Sequence, residues 1–226
     1  MIVACALFAW AAKSAPHPLT ERSRRGLLVD AALAAIPALK RPHAVLPPYM
    51  LLVEAGAPDG LDIDIADLLM TAVAGLMDGA DAPVMDALLG RGNDFWAVRH
   101  AISEGLAHRG KVIGLDISVA RRRLPALREA LCARIASEFP QLEIGDFGHV
   151  GDGGMHFNLV VPGERTTPAG FDERVRDAVY EIVVGAFEGS FSAEHGLGPA
   201  NLRVAEAYTP QIDRALGQSL RVLFPA

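Results

Sequence analysis

The stretch Gly145 to Asn158 constrains this chain more than any other. It reads Gly-Asp-Phe-Gly-His-Val-Gly-Asp-Gly-Gly-Met-His-Phe-Asn and runs into the apolar Leu159-Val160-Val161. Asp152-Gly153 between apolar flanks is a hairpin signal, because both residues tolerate the positive φ of a type I′ turn. With those two as the turn, Gly151 faces Gly154, Val150 faces Met155 and His149 faces His156. Opposed residues share one face of a ladder with Cβ atoms roughly 5 Å apart, and Asn158 returns to that face by the period of the strand. Two imidazoles and a carboxamide on one face suit half of a metal site and also, by themselves, a polar surface patch.

Periodicity orders the rest. Glu21 to Leu39 reads as a helix ended or bent by Pro37, and Pro42 to Pro48 is a breaker cluster. Tyr49 to Glu54 has strand character. Asp62 to Met77 is a helix with Ile65, Leu68, Leu69, Ala72, Val73 and Leu76 as its stripe and Asp62 or Asp64 as its cap. Ala82 to Asp86 is a short strand. Asn93 to His108 is a helix with Phe95, Val98, Ile102 and Leu106 inward. Lys111 to Val119 is a strand, Leu124 to Phe139 a helix, and Leu142 to Val161 the hairpin. Phe171 to Phe187 forms the next helix, Ser190 to Ser192 a short strand, and Pro199 opens a final helix. Single helices between strands, with one hairpin, give an α+β fold. Its antiparallel or mixed sheet is layered with helices in ferredoxin-like units. Without repeats or a clear linker, one domain is expected over 49–226, preceded by an N-terminal segment, 1–48.

The chain has 226 residues, 51% of them hydrophobic, enough for a substantial core. Its net charge of −6 argues against a nucleic-acid partner, which needs a basic face. Cys5 and Cys132 lie far apart and suggest neither a disulfide framework nor a thiolate site, so a reducing cytoplasm is expected. Met1 to Ala12 is apolar but shorter than the roughly 20 residues that span a bilayer. It lacks the positive start of a secretory signal, although small residues near Ala12 and Ala15 would suit cleavage. It reads as a strand or helix of the fold, and no transmembrane span is expected.

Two further groups could carry chemistry. Glu194-His195 lies in a Ser- and Gly-rich turn between a strand and a helix, where a ligand can approach the backbone closely. An exposed, solvated pair fits that turn as well. Beside His149 and His156, a carboxylate would complete an open three-ligand metal site, leaving His195 for proton transfer. Arg99 and Ser103 lie four apart on the Phe95–Leu106 helix, off its apolar stripe. An Arg there can grip a carboxylate with two hydrogen bonds and Ser103 can add a third. A solvated flank, with Arg99 paired to Glu104 or Asp94, also fits that spacing.

His149-Val-Gly-Asp-Gly-Gly-Met-His-Phe-Asn158 resembles a signature of the C-terminal domain of FAD-linked oxidases, which include D-lactate, D-2-hydroxyglutarate and glycolate dehydrogenases. Gly189-Ser-Phe-Ser-Ala-Glu-His-Gly-Leu-Gly198 resembles the second signature, and Phe95-Trp-Ala-Val-Arg-His-Ala-Ile-Ser-Glu104 resembles a third block. The resemblance runs from about Leu51 to the end. It implies a domain that binds substrate and metal in a flavin-dependent enzyme oxidising a D-2-hydroxy acid to a 2-keto acid. By resemblance, His149, His156 and Glu194 are the metal ligands, Arg99 holds the substrate carboxylate with help from Ser103, Asn158 contacts the substrate and His195 is the catalytic base. The implied cofactors are FAD and a divalent metal, with zinc first and iron or manganese open.

The chain departs from the family pattern in three ways. Gly114 stands where many members carry a Lys that also contacts substrate, which puts dicarboxylates in doubt. The ending Ser219 to Ala226 lacks the family's Asn-Pro-Gly-Lys. The family's flavin domain lies N-terminal to this one, nothing here resembles it, and residues 1–48 leave no room for it. The expectation is a substrate domain alone, from a split or shortened gene, with FAD supplied by a separate subunit or segment. The alternatives are a non-catalytic binding or assembly domain that kept the fold, or a stand-alone metal hydrolase.

Overall fold

The computed structural model describes residues 2–10, 27–47, 49–58, 60, 63–79, 82, 84–90, 92–196 and 201–223. Its contacts group into two compact units, 1–112 with 160–163, and 113–159 with 164–226.

In the first unit the apolar N-terminal run is a strand, β1 (Ile2–Trp10). It lies between β2 (Tyr49–Ala57) and β3 (Val84–Gly90) in an antiparallel sheet ordered β2-β1-β3. Ile2 pairs with Ala57 and Trp10 with Tyr49 on one side, and Cys5 pairs with Gly90 on the other. β3 runs later than the expected Ala82 to Asp86. Its register is set by the partner strand, which extends the pairing through Ala87, Leu88 and Leu89. Among the described residues three helices join this sheet in the unit: α1 (Leu27–Ala35), α2 (Ile65–Met77) and α3 (Gly92–Arg109). The first part of the helix expected from Glu21, and Asp62 as a cap, lie outside the described residues.

Asp64 caps α2, its Oδ1 accepting the N–H of Asp67 at 3.0 Å, which satisfies one of the helix's orphan donors. The buried face of α2 is narrower than its apolar pattern. Ile65 and Val73 are buried with Leu69 partly so, while Leu68, Ala72 and Leu76 are exposed. This two-layer packing covers only one ridge of the helix. α1 and α3 approach backbone to backbone. A Cβ on Gly105 would sit 2.5 Å from the Ala31 carbonyl carbon, so only glycine permits that spacing.

β4 (Gly110–Ser118), β6 (Gly154–Pro162) and β5 (Glu143–Phe147) form a sheet in the order β4-β6-β5, most of whose residues belong to the second unit, with 110–112 and 160–162 counted to the first. The Val119 N–H reaches the Gly153 carbonyl and Gly114 lies beside Asn158, so β4 and β6 run antiparallel. Strand alternation sorts the side chains. Ile113, Leu115 and Ile117 of β4 and Met155, Phe157 and Leu159 of β6 are buried in the core. Gly114 and Asp116, with His156 and Asn158, belong to the other face.

A 3₁₀ turn, Arg121–Arg123, leads into α4 (Leu124–Glu138), whose Leu127, Leu131 and Ile135 are buried. α5 (Phe171–Tyr180) buries Val175, Ala178 and Val179. The helix expected to Phe187 continues past Tyr180 as a π-helical segment, Glu181–Ala186, closed by Phe187 N–H to the Ile182 carbonyl at 3.1 Å. Arg128 on α4 grips Asp146 of β5 through two nitrogens. The expected Ser190–Ser192 strand is a single bridge, Ser118 to Ser190.

The final helical region, whose expected opening at Pro199 lies outside the described residues, is two helices, α6 (Leu202–Tyr208) and α7 (Gln211–Leu223). Pro210 causes the break, since it lacks an N–H and pushes Thr209 out of the helical region to φ −79° and ψ 127°. Helices and small antiparallel sheets agree with the α+β class. Among the described residues no helix is long and apolar enough to cross a membrane.

Candidate metal and substrate site

The β5–β6 connection is not the two-residue type I′ turn expected from Asp152-Gly153. It spans 148–153, and the carbonyl of His149 takes the N–H groups of Asp152, Gly153 and Gly154, each at 3.2 Å. The Asp152 carboxylate also accepts the Gly154 N–H at 2.8 Å. Gly153 has a φ of +89°, while Asp152 is absent from the described non-glycine residues with positive φ. The physical reason is the neighbouring strand. The loop is held down on β4 by the Val119–Gly153 bond rather than closing on itself. Phe147, not His149, therefore lies against His156, with ring centroids 5.1 Å apart. His149 is carried beyond the ladder and meets His156 edge-on at 6.1 Å.

The second segment is placed by β4. Ser118 and Ser190 exchange backbone bonds of 3.1 and 2.8 Å. The chain then turns so that the N–H groups of Ala193, Glu194 and His195 converge on Asp116 Oδ2 at 3.2, 2.7 and 2.8 Å. One carboxylate thus fixes the backbone of both Glu194 and His195. Burial by itself raises the Asp116 pKa. The N–H groups of His195, Glu194 and Ala193 and the nearby His195 ring outweigh that, holding the carboxyl below its ordinary range.

These constraints bring four of the expected residues together. His149 Nε2 lies 3.6 Å from Glu194 Oε1, and one ligand atom each from His149, His156 and Glu194 lie within 4.8 Å of one another. A tetrahedral zinc site with bonds of about 2.1 Å has ligand–ligand separations of about 3.4 Å, so the His149–Glu194 spacing needs little adjustment. His195 stacks on His156 with centroids 5.4 Å apart and 19° between planes. Exposure rises outward from His156 at 14% to Glu194 at 44%, His149 at 48% and His195 at 71%. Asp116, His156 and His195 form a second set within the same limit, sharing His156.

Asn158 is held in the sheet. Its Nδ2 donates to the Gly145 carbonyl at 3.2 Å, which turns Oδ1 toward Gly114, where a Cβ would sit 3.2 Å away. The Gly114 carbonyl in turn accepts from Arg176 of α5 at 2.8 Å. Arg99 and Ser103 lie one turn apart on α3 in the first unit, Arg99 half-buried and Ser103 exposed, on a helix where Trp96 stacks on His100. The reading of the sequence missed Asp116 as a member of this cluster. Its signal was an acidic residue inside the apolar Ile113–Ile117 strand, where a charge must find partners.

The family of FAD linked oxidases, C-terminal domain, matches residues 4–224, and the chain belongs to it. It is 36% identical to a D-2-hydroxyglutarate dehydrogenase of Stutzerimonas stutzeri over 107 residues, 46% of this chain and 23% of that protein. It is 30% identical over 186 residues to the enzyme of that name from Xanthomonas citri pv. viticola, 79% of this chain and 36% of the relative. With the mitochondrial D-2-hydroxyglutarate dehydrogenase of Bos taurus it shares 35% over 156 residues, 67% of this chain and 27% of the relative. The chain thus covers about a quarter to a third of the length of these relatives.

Proposed function

We propose that this chain is the substrate- and metal-binding part of a flavin-dependent enzyme that oxidises a D-2-hydroxy acid to its 2-keto acid. The observation that carries the reading is the convergence of His149, His156 and Glu194 with His195 stacked beside them. Family membership and relatives named for D-2-hydroxyglutarate support it.

Two imidazoles and a carboxylate suit Zn²⁺, with iron or manganese as other occupants of the same donor set. Bound there, the ion would act as a Lewis acid that lowers the pKa of the substrate's α-hydroxyl. His195 is the base that takes the hydroxyl proton, its exposed ring held over His156 while its backbone N–H is fixed on Asp116. Asn158 offers Oδ1 to the substrate from a carboxamide fixed by the sheet. Arg99 and Ser103 take the substrate carboxylate on the strength of the resemblance. FAD, the hydride acceptor, is held by a separate subunit or segment.

Gly114 brings no charge of its own to hold a second substrate carboxylate. Calorimetric titration of zinc-loaded protein with D-lactate, D-2-hydroxyglutarate and L-lactate tests the reading. Binding of a D-acid that needs the metal supports it, and L-lactate should bind more weakly. Absence of binding by any 2-hydroxy acid contradicts it.

A further inference from the structure

We infer that Asp116 is a positioning residue for this site, keeping the hydrogen of His156 on Nδ1 so that Nε2 carries the lone pair for an ion shared with His149 and Glu194, while it holds the Ala193–His195 turn in place. The inference rests on the metal reading above.

Asp116 is 9% exposed, on the face of β4 opposite the buried Ile113, Leu115 and Ile117, and a carboxylate so little exposed is costly unless engaged. Its two oxygens are used unequally. Oδ2 takes three backbone N–H groups, which leaves it a poor candidate for a metal ligand. Oδ1 is buried with no hydrogen-bond partner among the described residues and faces His156 Nδ1 at 3.4 Å.

An ionised carboxylate only accepts, so the nitrogen turned to it is the one that carries hydrogen. His156 then keeps its lone pair on Nε2. That is the arrangement in which a ligating histidine donates its other N–H to a carboxylate, fixing ring orientation and raising ligand basicity. The 3.4 Å gap is longer than a formed hydrogen bond, and ligation at Nε2 would polarise Nδ1–H and draw it in. Through the same side chain the Glu194 backbone is fixed against β4, so one residue sets the spacing of two ligands.

Asp116→Asn keeps the shape and inverts the polarity. Its amide N–H₂ would face His156 Nδ1 and favour hydrogen on Nε2, the ligand atom. Long-range ¹H–¹⁵N NMR on the metal-free full chain near pH 8 should show His156 as Nδ1–H, and as Nε2–H in Asp116→Asn. Zn²⁺ titration should show affinity lower by about 10- to 100-fold in the variant. His156 found as Nε2–H in the wild-type protein overturns the inference without any variant. So does a variant that folds and binds Zn²⁺ as tightly as wild type. Wild-type protein that binds no Zn²⁺ overturns the metal reading instead, a failure visible separately from the tautomer.

Discussion

Val119 and Gly153 clamp the ligand-bearing loop to the sheet. The Val119 N–H donates to the Gly153 carbonyl at 3.1 Å, and a Cβ on Gly153 would lie 2.1 Å from the Val119 oxygen. Gly153 also holds a φ of +89°. Both facts demand glycine. Gly153→Ala should lower stability by more than about 3 kcal/mol, combining left-handed strain with a backbone clash. Urea unfolding at neutral pH checks this, and a loss under about 1 kcal/mol would show that the loop can move off β4 cheaply.

Glu188 is the one described non-glycine residue with a positive φ, at +52°. It stands just before the Ser190 bridge that leads to Glu194. Its ion pair with Arg123, at 3.3 Å, is largely solvated on the Glu side and contributes little. Left-handed backbone costs a non-glycine residue roughly 1–2 kcal/mol, and glycine's greater unfolded freedom returns part of that. Glu188→Gly should therefore stabilise the protein by about 0.5–1 kcal/mol in thermal or urea unfolding. A loss of similar size would mean the Glu188 side chain supports the turn in a way the backbone does not reveal.

Asp116 ties stability to acid. Its folded-state pKa lies below the ordinary 3.8, so its ionised form is the one folding favours. That contribution is complete above the ordinary value and fades as pH falls through the folded-state value. Asp116→Asn should be less stable than wild type at pH 7 and at pH 5 by a similar margin. The margin should shrink as pH drops below about 4. A gap that widens toward acid would reverse the sign and contradict the assigned cause.

The sequence carried most of this architecture because its signals are local. The Val175–Val179 and Leu127–Leu131–Ile135 stripes predicted the helices that bury them, and Asp64, one of the two caps expected for α2, accepts the Asp67 N–H. The errors come from partners distant in sequence. β3 was misplaced because its bounds are set by β1, residues 2–10. The Asp152-Gly153 turn was mistyped because β4 pulls Gly153 down onto Val119. That His149, His156, Glu194 and His195 belong to one site is an expectation carried by the resemblance of their two motifs to the family signatures, since neither Gly-rich loop by itself specifies a ligand. Asp116 was overlooked as a member of the cluster. Its role follows from the three N–H groups of Ala193 to His195, which no residue pattern near it shows.

Metal content tests the central claim most directly. Protein purified with zinc supplied, dialysed, and measured by inductively coupled plasma mass spectrometry should hold about one ion per chain. The His149→Ala, His156→Ala double variant should hold almost none while keeping wild-type circular dichroism, since removing two neutral imidazole ligands destroys a three-ligand site. Wild-type protein free of metal under those conditions, or a double variant that retains it, would contradict the account.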